Sequence, residues 1–173
     1  VCGVAATSKA ISIDAFPTAG TISGPTSVCQ SAVITLTDAA PGGTWSATNS
    51  NAVVGSTSGV VLGVTAGTDV INYSITNACG SAVANAAITV NPLPDPGSIT
   101  GPGSVCAGTT ITLTDAVSGG VWSAGNANAT VSGGVVTGVM AGTVPISYSV
   151  TNGCGTASAV AVVSVLASPD PGA

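Results

Sequence analysis

The feature that most constrains this chain is that it repeats itself. The run Gly20-Thr-Ile-Ser-Gly-Pro-Thr-Ser-Val-Cys29 returns as Gly97-Ser-Ile-Thr-Gly-Pro-Gly-Ser-Val-Cys106, which sets Cys29 and Cys106 77 positions apart. Ile34-Thr-Leu-Thr-Asp-Ala39 returns as Ile111-Thr-Leu-Thr-Asp-Ala116, and Gly42-Gly43-Thr-Trp45 as Gly119-Gly120-Val-Trp122. Tyr73-Ser-Ile-Thr-Asn-Ala-Cys79-Gly80 returns as Tyr148-Ser-Val-Thr-Asn-Gly-Cys154-Gly155, now 75 positions on, so two residues are lost near 55–58. Self-similarity at such a period means each repeat is one structural unit.

The first nineteen residues fit the same register. Val1-Cys2-Gly3 aligns with Ala78-Cys79-Gly80, Ile11 and Ile13 with Ile88 and Val90, and Pro17 with Pro94. Residues 1–19 therefore read as the terminal strand and linker of an upstream repeat, followed by whole repeats at 20–96 and 97–173. On this reading the chain is a window on a longer periodic polypeptide.

Composition removes most chemistry. The 173 residues hold one Lys, no Arg, no His and no Glu; all six acids are Asp. Without His there is no Ser-His-Asp or Cys-His catalysis and no His-bearing metal site. A single cation excludes a basic nucleic-acid surface. Neither a base nor a nucleophile pair supports an enzyme. Despite positive mean hydropathy, there is no run of 18 apolar residues, so no membrane-spanning helix is expected. No charged segment followed by an apolar one opens the chain, so no signal peptide is expected in it. Val, Ile and Thr punctuated by Gly, Pro, Asn and Asp predict an all-β chain.

Alternation places seven strands in the first repeat, at 21–28, 33–37, 44–48, 52–55, 60–64, 70–76 and 82–90. Trp45 lies on the third strand, and Ile71, Tyr73 and Ile75 share one face of the sixth. The second repeat follows with Ile111, Leu113, Trp122, Ile146, Tyr148, Val150, Val163 and Val165. The expected fold is two tandem immunoglobulin-like β-sandwiches of about seven strands each, preceded by the last strand of an upstream repeat. Trp45, Tyr73, Trp122 and Tyr148 are expected as core aromatics.

The stretches Gly59-Val-Val-Leu-Gly-Val-Thr-Ala-Gly-Thr68 and Gly134-Val-Val-Thr-Gly-Val-Met-Ala-Gly-Thr143 resemble bacterial Ig-like group 2 domains of invasin- and intimin-type adhesins. The Cys and Trp spacing, with Asn-Pro-Leu-Pro at 91–94, resembles the tandem Ig- and PKD-like repeats of giant surface proteins in gliding bacteria. The resemblance implies secretion and a spacer or adhesive role. Charge is scarcer here than in a free-standing adhesin stalk.

Five cysteines, Cys2, Cys29, Cys79, Cys106 and Cys154, are disulfide candidates, because repeating cysteines in a secreted β-protein favour disulfides over metal. Cys2 would find its partner upstream. One pairing joins Cys29 to Cys79 and Cys106 to Cys154, one bridge per repeat. The other joins Cys29 to Cys154 across the repeat junction. Counting five strands between Cys29 and Cys79 puts those two at opposite ends of a sandwich and favours the second. Merging the fourth and fifth strands restores the first, so both stay open.

Other residues carry weaker signals. Asp95 and Asp170 sit in Pro-Asp-Pro-Gly linkers, with too few carboxylates nearby for calcium, so no metal or cofactor is expected. Lys9 reads as a solvated strand-end amine rather than an isopeptide partner. Asn72-Tyr-Ser and Asn128-Ala-Thr match the glycan sequon, and the many Thr and Ser would suit O-linked sugar. The reading reached is a structural segment of an extracellular filament or cell-surface stalk, its partners other copies of itself, end to end and laterally, and glycans. The alternative is a carbohydrate- or surface-binding adhesin module. Flat Thr-rich strand faces could also serve ice or sugar, but no exposed aromatic cluster is evident.

Overall fold

A computed structural model describes residues 2–4 and 7–169 of the chain. They form strands and turns with no helix, and hence no helix able to cross a membrane. The chain divides into two compact units, Val1–Asn91 and Pro92–Ala173.

The first unit holds β1 (Ile22–Ser23), β2 (Ser27–Cys29), β3 (Val33–Thr35), β4 (Thr37–Asp38), β5 (Thr44–Ala47), β6 (Ala52–Val54), β7 (Val60–Gly63), β8 (Gly67–Asn77) and β9 (Gly80–Asn91). One sheet runs β2-β9-β8-β5, a second runs β3-β7-β6, and β1 and β4 form a separate pair. The second unit repeats this with β10 (Ile99–Thr100), β11 (Ser104–Cys106), β12 (Thr110–Thr112), β13 (Thr114–Asp115), β14 (Val121–Ala124), β15 (Ala129–Ser132), β16 (Val135–Gly138), β17 (Gly142–Asn152) and β18 (Gly155–Leu166). Its sheets are β11-β18-β17-β14, β12-β16-β15 and β10-β13. This is the two-layer immunoglobulin-like arrangement.

The expected seven strands become nine segments because the first two are each broken. β1 pairs antiparallel with β4, whereas β2 crosses to the other sheet and runs parallel to β9, with Val28 opposite Val90. The expected first strand is thus divided between two sheets, and β2 forms one edge of the four-stranded sheet. β8 and β9 form the longest ladder, from Gly67–Val90 to Asn77–Gly80.

Alternation decides what is buried. Along β8, Asp69, Ile71 and Tyr73 point inward; along β9, Ile88 and Val90 do. With Val28, Leu36, Trp45, Ala52 and Val61 they fill the first core. The second core takes Val105, Leu113, Ala129, Val136, Val144, Ile146, Val163 and Val165. Burying each Val or Ile contributes about 1.5–3 kcal/mol.

Residues 2–4 and 7–19 form no strand. Ile11 and Ile13 are 82% and 94% exposed, while their counterparts Ile88 and Val90 are 0% and 1% exposed. A strand forms only against partners: Ile88 and Val90 lie on β9, flanked by β8 and β2, and residues 7–13 have no such neighbours in their own unit.

Candidate functional site

What recurs are devices that hold loops and linkers. The first joins an aromatic pair to the turn after β4. Trp45 and Tyr73 face each other across β5 and β8, with ring centroids 4.6 Å apart at 48°. The Tyr73 hydroxyl donates to the Ala40 carbonyl at 2.6 Å and accepts from the Gly43 amide at 2.9 Å. Gly43 has no side chain because the Tyr73 ring occupies the space a Cβ would need. The second unit repeats every contact: Trp122 and Tyr148 are 4.8 Å apart, and the Tyr148 hydroxyl donates to Val117 at 2.6 Å and accepts from Gly120 at 2.7 Å.

A second device was hidden in the sequence. Asp69 is fully buried and takes four hydrogen bonds. Its Oδ1 accepts from the Thr48 amide, the Thr48 hydroxyl and the Asn49 amide, each at 3.1 Å, and its Oδ2 accepts from the Ala52 amide at 3.0 Å. These donors pin the crossover from β5 to β6, and they hold a carboxylate that would otherwise be costly to bury. The available signal was its place on the inward face with Ile71 and Tyr73. The equivalent residue in the second unit is Val144, also fully buried.

The third device grips the linker. The Asn77 side-chain amide donates to the Ala15 carbonyl at 2.8 Å, and the Asn152 amide donates to the Pro92 carbonyl at 3.1 Å. Ala15 and Pro92 are themselves 77 positions apart. In the first unit the Cys79 thiol also donates to the Asp14 carbonyl at 3.3 Å, the Phe16 ring sits against Gly80, and Pro17 is buried. Each sandwich therefore holds the linker that precedes it with the turn between its two longest strands. Asn77 and Asn152 read as turn signals in the sequence; only the fold reveals their second bond.

Cys29 and Cys154 are disulfide-bonded, whereas Cys2, Cys79 and Cys106 are exposed free thiols. Neither Cys29–Cys79 nor Cys106–Cys154 forms, which corrects the pairing of one bridge per repeat. The reason lies in β9. Cys29 is opposite Asn91 at its far end, while Cys79 precedes Gly80 at its start. Eleven steps of ~3.3 Å put them about 36 Å apart along the strand, far beyond the ~7 Å a disulfide spans. Cys106, opposite Leu166, and Cys154, before Gly155, have the same separation along β18.

The units differ most around their tryptophans. Trp45, Tyr73 and Tyr148 are buried as expected, but Trp122 is only half-buried. In the first unit a five-residue loop at 55–59 joins β6 to β7. It folds back so that Ser56 accepts the Trp45 amide at 2.9 Å, and Gly59 backs onto the indole. In the second unit Gly133 and Gly134, at φ 56° and 85°, make the join alone. Positive φ at both central residues is the tight hairpin turn that favours Gly-Gly. With the cover shortened, a cleft of about 230 Å³ opens beside Trp122 and Tyr148, lined also by Thr112, Leu113, Thr114, Asp115 and Gly133.

The remaining candidates stand apart. Asp95 uses Oδ1 to accept from the Gly97 amide at 3.0 Å, and Asp170 lies outside the described residues. Among the described residues, no three His, Cys, Asp or Glu side chains gather as a metal site. Lys9 is exposed. Asn72 is half-buried on β8, and the Asn128 amide is committed to the Thr143 carbonyl at 3.2 Å.

No protein-family model and no curated protein matches the chain. Solved structures do. A crystal structure of the S-layer protein rSbsC(31-844) is 19% identical, with a TM-score of 0.32, over 78% of this chain and 23% of that one. Drosophila N-cadherin EC1-4 is 14% identical, with a TM-score of 0.42, over 77% and 44%. BT4661, a SusE-like surface polysaccharide-binding protein of Bacteroides thetaiotaomicron, is 12% identical, with a TM-score of 0.34, over 84% and 34%. The match spans less than half the length of each. The assignment of the fold rests on the chain's own strand order.

Proposed function

We propose that this chain is a structural segment of an extracellular filament or cell-surface stalk built from tandem Ig-like repeats. The observation that carries the reading is the duplicated linker grip, Asn77 on Ala15 and Asn152 on Pro92. A bond from each sandwich to the segment preceding it is useful where sandwiches follow one another in series. Exposed Ile11 and Ile13 support the same reading, since they carry the pattern of β9 and would complete an upstream sandwich. So does the disulfide chemistry of Cys29 and Cys154, which suits an oxidising, extracellular setting. Self-association is the partner this surface favours, because so few charges oppose close approach.

Electron microscopy of the native parent material tests the proposal. The expected image is a string of sandwich-sized beads at regular spacing, outside the cell. Dispersed globular particles, or a cytoplasmic location, would overturn it.

A further inference from the structure

The cleft beside Trp122 is lined by residues of the second unit. Its walls are of two kinds. Trp122 and the edge of Tyr148 give an aromatic surface, and Thr112, Thr114 and Asp115 give oxygen atoms. Asp115 Oδ1 is spent on the Val117 amide at 2.8 Å, but its Oδ2 is buried without a hydrogen-bond partner. Asp38 Oδ2 is equally unpartnered in the first unit, where the indole of Trp45 is buried. What sets the second unit apart is that its tryptophan, Trp122, is only half-buried.

We propose that this cleft is a binding site for a single pyranose ring of a neutral sugar. A pyranose has an apolar face of C–H groups and a rim of hydroxyls. The apolar face would stack on Trp122, as ring surfaces do on indole. Rim hydroxyls would exchange hydrogen bonds with the exposed Thr112 and Thr114. The Thr112 and Thr114 hydroxyls donate as well as accept, which suits a sugar hydroxyl better than a cation, since a cation offers no acceptor. The volume, about 230 Å³, is below the ~300–1,000 Å³ of drug-sized sites and matches one ring rather than a chain. The site is independent of the proposed structural role, since a stalk repeat with a sugar pocket remains a stalk repeat.

The test uses the two tryptophan indole N–H resonances of the isotope-labelled 173-residue chain, assigned with Trp122→Phe. The probes are the methyl pyranosides of glucose, galactose, mannose and N-acetylglucosamine, with tetramethylammonium as the cation control. At least one sugar is expected to shift the Trp122 resonance, leaving Trp45 unmoved, with a dissociation constant of about 1–10 mM. Replacing residues 132–134 by Gly-Ser-Thr-Ser-Gly, the first unit's loop, should weaken binding at least about tenfold. The reciprocal change, residues 55–59 to Ser-Gly-Gly, should make Trp45 respond. It keeps the test decisive if the first graft fails to fold. No shift with any sugar, equal shifts at both tryptophans, or a response to tetramethylammonium alone would overturn the assignment.

Discussion

The Asn77 side-chain amide lies 2.8 Å from the Ala15 carbonyl, while its own Oδ1 accepts the Cys79 amide at 2.8 Å. One side chain thus shapes the turn after β8 and holds the linker. Asn152 does the same for Cys154 and Pro92. Asn77→Asp separates the two tasks, because it keeps the acceptor and loses the donor. Amide exchange at residues 14–18 should quicken, with a global cost of only about 1 kcal/mol. Hydrogen exchange read by mass spectrometry or NMR checks this, and unchanged protection would remove the grip from the account.

Tyr73→Phe keeps the ring against Trp45 but strips the turn of its two bonds, to Ala40 and Gly43. The first unit should lose about 1–2 kcal/mol, read as an earlier urea midpoint with unchanged slope. Gly43→Ala should cost more, about 2–3 kcal/mol, because the ring must move to admit a methyl group.

Asp69→Ala should be the most damaging polar substitution in the first unit. It leaves the amides of Asn49 and Ala52 without their acceptor and the Thr48 amide with the Val70 carbonyl alone, and should cost about 3–4 kcal/mol. Since Val144 fills the same position in the second unit, thermal unfolding should reveal a weakened first sandwich and an unaltered second. Coincident loss of both would refute this division.

These cases also mark what could be read from residues alone. The repeat, the inward alternation of Ile71 and Tyr73, and the burial of Trp45 follow from spacing, because period-two patterning fixes which side of a strand faces the core. The break between β1 and β2 was not legible, since 21–28 alternates smoothly and only the switch of partner from β4 to β9 interrupts it. Nor was the fate of Trp122. Two missing residues at the β15–β16 turn were visible, but what the longer loop covers is a tertiary fact. Asp69 was counted as an acid and given no role, because its donors come from a crossover some twenty residues earlier.

Cysteine chemistry gives a direct count. The native chain should present three reactive thiols, from Cys2, Cys79 and Cys106, and five after reduction and unfolding. In native material from a longer repeat array the first number should fall to zero, as each thiol meets its counterpart in another repeat. Maleimide labelling with peptide mapping distinguishes the two states. Persistent free thiols at Cys79 or Cys106 in native arrays would confine disulfides to fewer junctions.

The outer face of β3-β7-β6 supplies the last prediction. Val33, Leu62 and Val53 stand in register across the three strands, at 63%, 38% and 57% exposure. The same row in the second unit is Thr110, Thr137 and Thr130. An apolar row on one unit, in a chain with one Lys and six Asp in all, favours lateral contact with another copy. Leu62→Lys places a charge at the centre of the row, where an outward side chain should change stability by no more than about 0.5 kcal/mol. In the proposed filament, lateral bundles should separate into single strands with this substitution, while added salt should leave wild-type bundles intact, because charge pairing does not hold them. Sedimentation and negative-stain microscopy read both effects. Sugar-coated single strands in the wild type, with no lateral contact for Leu62→Lys to disrupt, would assign solubility to glycans and leave this apolar row without a partner.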